Sequence, residues 1–463
     1  MTKGDIMKFN ENIFRSNDIR GIYKKDFDEE FAKKIGRALA TFFEEKNKDK
    51  DIVVGCDIRI GSESLKKSLI ESLTASGYNV TDIGIVTTPI LYFAVKHLKR
   101  IGGVMITGSH LPAEFNGFKI VDENGNMIGS ETGLEKIKQI IIKEEFSKPK
   151  KIGIAKKYEK IFDDYSNFIL KKIKIKKKLK VVLDLGNSVS GLITPKLFEK
   201  TGCEVATINS ELDGTFPYRP PEPRPENLQK LQEAVKANKA DFGVAYDGDG
   251  DRIVFVDDEG NVLDSSSLVI MIFAEHYLNK QKNSKIVFDL GCSMAVGDTI
   301  TKLGGTPIET RVGTSFIKSK MVEENAIFGG ESSSHMYFAE TFNFDDAAFA
   351  SLKMAEIISE LGEGLSSKIK SLPSFPYFPE WEFECPDEKK QAALQKIKDK
   401  FKTSGIKFSE LDGLKLIYED GWVLWRPSGT RPSMKIYVEA KTPKRLEELK
   451  NFAKDELIKA INA

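Results

Sequence analysis

The apolar positions of this chain gather into short unbroken runs rather than long amphipathic stripes. Asp51-Ile-Val-Val-Gly-Cys-Asp57, Lys180-Val-Val-Leu-Asp-Leu-Gly186 and Lys285-Ile-Val-Phe-Asp-Leu-Gly291 each hold a brief apolar, β-branched stretch that ends in a polar loop. Runs this short and continuous predict strands covered on both faces of a sheet, since a half-exposed strand alternates and a helix runs longer. Each is followed by a helix-like stretch and then by a glycine, near Gly77, Gly202 and Gly305, that opens a second strand. The same order at similar offsets, three times over, predicts three related α/β domains in tandem, each a mixed sheet between helices.

Beyond about Pro373 the pattern changes. Pro373, Pro376 and Pro379 mark a linker, and a helix is predicted from Glu388 to Phe401. Two strands, Gly421–Trp425 and Met434–Glu439, then precede a closing helix from Pro443 onward, which makes a smaller α+β domain. The expected divisions are 1–155, 156–258, 259–372 and 373–463. A chain of 463 residues suits three or four domains at roughly 150 residues each.

Composition narrows the function classes. With 70 basic against 69 acidic side chains, nothing favours nucleic acid or an anionic membrane as the main partner. The lysine-rich run Lys171 to Lys180 carries no interleaved aromatics and reads as a solvated helix end. No apolar run approaches the ~20 residues that span a bilayer, and Met1 to Asn12 is too polar for a signal peptide. Cys56, Cys203, Cys292 and Cys385 are scattered without metal-ligand spacing and read as reduced thiols of a cytoplasmic protein. No coiled-coil segment points to an assembly, so a monomer or a weak homodimer is expected.

Five segments carry candidate chemistry. In Val244-Ala-Tyr-Asp-Gly-Asp-Gly-Asp-Arg252 a strand runs into Asp247, Asp249 and Asp251, separated by glycines that let the backbone fold tightly. Three converging carboxylates suit a hard divalent cation such as Mg²⁺. A calcium EF-hand is excluded, because Arg252 and Asp258 stand where its Gly and Glu belong. In Val104-Met-Ile-Thr-Gly-Ser-His-Leu-Pro112 a strand delivers Ser109 into a loop, which fits an exposed nucleophile and equally an ordinary turn. Lys119, in Asn116-Gly-Phe-Lys119, can contact phosphate or move protons. Arg426-Pro-Ser-Gly-Thr-Arg-Pro432 places a guanidinium fork, two hydroxyls and a glycine between two strands, a phosphate cradle or a filler turn. Gly329-Gly-Glu-Ser-Ser-Ser-His335 offers donors and acceptors fit for sugar hydroxyls, and is also common loop chemistry. Phe14-Arg-Ser-Asn-Asp-Ile-Arg-Gly21 reads, taken alone, as a surface ion-pair cluster.

Together and in this order the five segments resemble the α-D-phosphohexomutase family, over nearly the whole chain. The Thr-Gly-Ser-His wording, Asn116-Gly-Phe-Lys119 and Phe344-Asp-Asp346 are most similar to its phosphomannomutase/phosphoglucomutase branch. The resemblance implies four domains around a central cleft and an intramolecular phosphotransferase, an isomerase that interconverts hexose 1-phosphate and hexose 6-phosphate of mannose or glucose. It implies Ser109 as the phosphoserine, with a sugar 1,6-bisphosphate as activator and intermediate. Asp247, Asp249 and Asp251 would hold Mg²⁺, with Ser109 and its phosphate completing the set. Glu331 and Ser333 would read the sugar's 3- and 4-hydroxyls, and Arg426, Ser428, Gly429 and Thr430 the phosphate that is not reacting. Arg20, Lys119, Arg252 and His335 would line the reaction centre.

The chain departs from the family pattern at Asn17, Leu111, Gly291, Thr314 and Arg431. Gly291 and Thr314 stand where the branch carries Lys and His, and Arg431, with Arg219 and Arg311, is a further candidate to hold phosphate. A phosphoglucosamine mutase is the nearest alternative. A catalytically silent sugar-phosphate-binding member comes next, and an Asp-nucleophile phosphatase is disfavoured because the acidic run lies mid-chain without the following Thr or Val.

Overall fold

A computed structural model describes residues 10–46, 50–149, 151–428 and 432–462. Most of Met1–Asn12 and all of Gly429, Thr430 and Arg431 lie outside the described residues. The chain divides into two compact units, the first comprising Met1–Asp264 and Phe344–Ser366, the second Ser265–Asn343 and Ser367–Ala463.

Two sheets build the first unit. The six-stranded one runs in the order Ile19–Ile22, Phe115–Asp122, Gly102–Ile106, Asp51–Cys56, Asn79–Ile85 and Ala155–Lys157. Its last four strands are parallel, whereas Phe115–Asp122 is antiparallel to both of its neighbours. The apolar runs seen in the sequence are the reason: Ile52, Val53, Val54, Val104 and Ile106 have no exposure, so these strands need cover on both faces. Helix Glu29–Lys46 packs on helix Ser62–Ala75, and a glycine at position 36 lets the Ser72 side chain approach. The second sheet has the order Ile253–Val256, Phe242–Tyr246, Lys180–Asp184, Glu204–Ile208, with only the hairpin strand Ile253–Val256 antiparallel.

The second unit repeats the pattern. Thr306–Thr310, Lys285–Asp289 and Phe328–Gly330 lie parallel and adjacent, and Met336–Phe338 returns antiparallel to Phe328–Gly330. Its other sheet is wholly antiparallel, in the order Tyr377–Glu384, Ser433–Ala440, Gly421–Pro427, Leu414–Tyr418, Lys407–Ser409. Helices Asp387–Phe401 and Pro443–Asn462 cover one face of it around Trp425, Phe401 and Phe452. The proline-marked segment is therefore not simply a linker: Tyr377–Glu384 is an edge strand, and its register shifts between Phe378 and Trp381, where Pro379 falls. Proline is tolerated there because an edge strand with a bulge can do without one ladder amide.

One helix lies where no pattern along the chain points to it. Ala347–Glu360, inside the span expected to be the third domain, packs within the first unit. Tyr165 donates to both carboxylate oxygens of Asp346 (2.9 and 2.7 Å), Tyr246 Oη lies 2.9 Å from Ser351 Oγ, and Phe344 packs on Tyr92. The lysine-rich run leaves helix Ile161–Leu170 and is strapped to the same helix by its backbone: Lys174 N–H donates to Glu356 and Lys176 N–H to Ser359. Lys171, Lys174, Lys176, Lys177 and Lys178 stay exposed, as a solvated run should. Among the described residues no helix is long and apolar enough to cross a membrane.

Candidate active site

The serine loop starts where the buried strand Gly102–Ile106 ends. Ser109 sits there in the left-handed region (φ 51°), a conformation that costs a non-glycine residue about 1–3 kcal/mol and persists only when its surroundings impose it. Two contacts do so. The Ser109 N–H donates to Thr107 Oγ1 (2.8 Å), and the Arg59 guanidinium donates to the carbonyls of Ser109 (2.5 Å), Leu111 (2.6 Å), Pro112 (2.6 Å) and Phe115 (3.1 Å). Nothing in the sequence marks Arg59, since Cys56-Asp-Ile-Arg59 reads only as the end of a strand. Ser109 Oγ lies 3.4 Å from His110 Nδ1. Burial, with the charges of Arg252 and Arg20, holds that imidazole well below its ordinary value.

The acidic loop leaves the parallel strand Phe242–Tyr246 and presses on the serine loop. A Cβ at Gly248 would stand 2.4 Å from the Ser109 carbonyl oxygen, so only glycine fits between them. Asp247 Oδ1 accepts the backbone N–H groups of Gly250, Asp251 and Arg252 (2.9–3.1 Å), while its Oδ2 is buried with no hydrogen-bond partner. Asp249 Oδ2 accepts from Thr88 Oγ1 (2.5 Å) and Lys119 Nζ (2.7 Å), and its Oδ1 is likewise buried without a partner. Lys119 also donates to Asp251 Oδ2 at 2.5 Å. One oxygen from each of the three aspartates lies within 4.8 Å of the others. Burial, and then the charges of Asp251 and Asp249, push the Asp247 carboxyl well up. Two orphaned buried oxygens aimed into a cluster of like charges are what a bound cation would satisfy. These residues can hold a metal ion.

Strand pairing brings the cations to this cluster. Lys119 lies opposite Met105 and Arg20 opposite Gly117, so both reach the mouth of the serine loop from adjacent antiparallel strands. Burial opposes charge on Lys119, but the Asp249 and Asp251 carboxylates outweigh it and hold the ammonium above the ordinary lysine value. Arg20 pairs with Asp18 (2.6 Å) and Arg252 with Glu222 (3.3 Å). Arg219, a candidate phosphate ligand by sequence, is instead committed inside the fold. It is buried against Asp184 (2.7 Å) and donates to the Tyr246 carbonyl (2.7 Å).

In the second unit, the strand Phe328–Gly330 delivers Glu331. Its carboxylate accepts from Tyr337 Oη (2.7 Å) and lies 3.4 Å from His335 Nδ1, which is itself 3.0 Å from Ser333 Oγ. Burial works against this carboxylate, yet hydrogen bonds from His335, Tyr337 and Ser333 hold it at about 2. The buried Glu331 and His335 and the half-buried Ser333 thus form one linked group. Tyr337, two residues on, carries no cue in the sequence. At the end of strand Gly421–Pro427, Arg426 Nε donates to Asp412 Oδ2 (2.6 Å), and Ser428 is fixed by its N–H to Ser433 O (2.9 Å) and by Lys390 Nζ on its carbonyl (2.8 Å).

The chain matches four family models in succession: phosphoglucomutase/phosphomannomutase alpha/beta/alpha domain I over 11–148, domain II over 163–260, domain III over 265–375 and the C-terminal domain over 380–456. It belongs to the phosphoglucomutase/phosphomannomutase family. That makes it one of the mutases, which are isomerases. It is 34% identical over 454 residues to a phosphomannomutase/phosphoglucomutase of Pseudomonas putida (97% of this chain, 96% of the relative). It is 33% identical over 442 residues to a probable phosphoglucosamine mutase of Methanopyrus kandleri, with 95% and 96% covered. Among solved structures it is similar to a family protein from Burkholderia thailandensis, with TM-score 0.91, 31% identity and 98% of each chain covered.

Proposed function

We propose that this protein moves a phosphoryl group between the 1- and 6-hydroxyls of mannose or glucose phosphate, through phosphorylated Ser109 and a sugar 1,6-bisphosphate. The observation that carries this is the juxtaposition of Ser109, on a strained turn, with three converging aspartates and the ion-paired Lys119. Mg²⁺ held by Asp247, Asp249 and Asp251 would neutralise charge on the phosphoryl oxygens. Arg20 and Arg252 add positive charge at the same mouth. When Ser109 gives up its phosphoryl group its Oγ needs a proton and the attacking sugar hydroxyl loses one. Lys119, with His335, is the candidate to carry it. Glu331 and Ser333 bind the 3- and 4-hydroxyls, and Arg426, Ser428, Gly429 and Thr430 hold the distal phosphate. The bisphosphate must then turn over so that its other phosphate meets Ser109. All four cysteines are free and buried, which supports a cytoplasmic setting, and a monomer or weak homodimer suffices for this chemistry.

The test is ³¹P NMR of the protein with Mg²⁺ and a trace of glucose 1,6-bisphosphate. Mannose 1-phosphate, glucose 1-phosphate and glucosamine 6-phosphate are followed in separate tubes, with Ser109→Ala as control. Migration in the first two tubes, absent in the control, is expected. Migration with the amino sugar alone would move the protein to the phosphoglucosamine branch. No migration anywhere would overturn the mutase assignment in favour of a binding role.

A further inference from the structure

The three α/β domains place their functional loops by one rule. In each, a first strand lies between its second and third strands, all parallel: Asp51–Cys56 between Asn79–Ile85 and Gly102–Ile106, Lys180–Asp184 between Glu204–Ile208 and Phe242–Tyr246, Lys285–Asp289 between Thr306–Thr310 and Phe328–Gly330. The functional loop always leaves the third strand, carrying Ser109, Asp247 or Glu331. The paired residues Cys56–Ile106, Asp184–Ala245 and Phe288–Gly330 show that first and third strands end within one residue of each other. Whatever stands at the end of the first strand is therefore beside the functional loop, in the crevice where a doubly wound sheet changes direction.

What stands there is an aspartate each time. Asp57, Asp184 and Asp289 are all buried. Each accepts the backbone N–H two residues on through Oδ1: Arg59 (2.9 Å), Gly186 (3.0 Å) and Gly291 (2.7 Å). Each turns its Oδ2 toward a group that touches the functional loop or belongs to it. Asp57 Oδ2 faces Arg59 Nε at 3.2 Å, an ion pair without hydrogen-bond geometry, and Arg59 clamps the four carbonyls around Ser109. Asp184 Oδ2 accepts from Arg219 Nε, and Arg219 holds the Tyr246 carbonyl immediately before Asp247. Asp289 Oδ2 accepts the Ser332 N–H (2.7 Å) and lies 3.0 Å from its Oγ, immediately after Glu331.

A buried carboxylate is costly, and one that only tied a turn could be an asparagine or serine. We propose that Asp57, Asp184 and Asp289 are three copies of one positioning residue, fixing respectively the nucleophile loop, the metal loop and the sugar loop. This rests on the roles proposed above for those loops, and it predicts that the same substitution damages a different step in each domain.

The experiment uses full-length Asp57→Asn, Asp184→Asn and Asp289→Asn with three readouts. The first is the rate of ³²P transfer from labelled glucose 1,6-bisphosphate to Ser109, in which the Ser109 Oγ–P bond forms as the sugar O–P bond breaks and the serine proton passes to the sugar oxygen. The second is the Kd for Mn²⁺ alone, by electron paramagnetic resonance. The third is KM against kcat for the sugar monophosphate. Asp57→Asn should slow Ser109 labelling at least about tenfold with Mn²⁺ affinity kept. Asp184→Asn should weaken Mn²⁺ binding by up to about tenfold, the lower end of what losing a direct partner of a metal ligand costs, because Asp184 acts on Asp247 through Arg219 and the Tyr246 carbonyl. Asp289→Asn should raise KM about tenfold while Ser109 labelling is kept. Arg59→Lys, Arg219→Lys and Ser332→Ala should reproduce the three patterns, and they replace any Asn variant that does not fold. Uniform loss of all readouts across the set, or no change in any, overturns the proposal. A wild type that binds Mn²⁺ without labelling Ser109 refutes the mutase role instead, while the Asp184 arm still tests the positioning claim.

Discussion

Burial, with the charge of Glu331 added, raises the Asp289 carboxyl to about 6. Among the described residues Glu331, Cys292 and Arg426 interact with it electrostatically. Because its folded value lies above the ordinary 3.8, the folded protein binds more protons than the unfolded chain between those limits. Its contribution to stability is therefore greatest below about 4 and is lost as pH rises through about 6. Function runs the other way, since the ionised carboxylate is the better acceptor for Ser332 and Gly291. KM for the sugar phosphate should rise up to about tenfold between pH 7 and 5, one pH unit below the midpoint leaving about a tenth ionised. The substrate's own phosphate titrates near 6 as well, so the decisive quantity is the part of the inflection that Asp289→Asn removes; an unchanged profile would refute the role. Glu331, Ser333 and His335 were legible because hydroxyls, an acid and an imidazole crowd seven residues. Asp289 was not, because a lone Asp after an apolar run is indistinguishable from any strand end. The departure at Gly291 also acquires a reason: a Cβ there would meet Ser332 Oγ at 2.7 Å and Asp289 Oδ1 at 3.0 Å, so a lysine cannot enter without displacing Ser332.

At the scale of elements, the tandem strand–helix repeat was legible because continuous β-branched runs report burial on both faces directly. The destination of helix Ala347–Glu360 was not. Its residues are mostly apolar and nearly all buried, Lys353 and Glu356 included, so the pattern declares that the helix is covered and says nothing of what covers it. Asp346 fixes its start. The carboxylate caps the helix through the Phe349 N–H (2.9 Å) and receives the buried Tyr165 hydroxyl. Asp346→Ala should lose the cap, about 0.5–2 kcal/mol, and strand that hydroxyl, about 1–3 kcal/mol. Urea unfolding should show a loss of roughly 2–4 kcal/mol, with Asp346→Asn recovering part of it because Asn also caps. A loss confined to about 1 kcal/mol would mean that Tyr165 finds water or another acceptor.

For the molecule as a whole, a near-neutral charge balance conceals a strongly acidic spot, where three buried carboxylates crowd around the Lys119 ammonium. The letters Asp-Gly-Asp-Gly-Asp made that spot legible, whereas its counter-ion Lys119, more than a hundred residues earlier, is joined to it only by the fold. A divalent cation that satisfies the free oxygens of Asp247 and Asp249 binds the folded state alone, so it must stabilise the protein by mass action, about 2.7 kcal/mol at one hundred times its Kd. Thermal unfolding in EDTA and in rising MgCl₂ should therefore diverge. Far-UV circular dichroism is the right probe: Trp381, Trp422 and Trp425, all the tryptophans of the chain, belong to the second unit and report its unfolding. Asp247→Asn should flatten the Mg²⁺ dependence and raise the midpoint in EDTA, because it removes the carboxyl that burial and its two neighbours destabilise while Asn keeps an oxygen for the three backbone amides. If that variant instead lost stability in EDTA and the wild type ignored Mg²⁺, the cluster would be held by Lys119 alone and the metal assignment would fall.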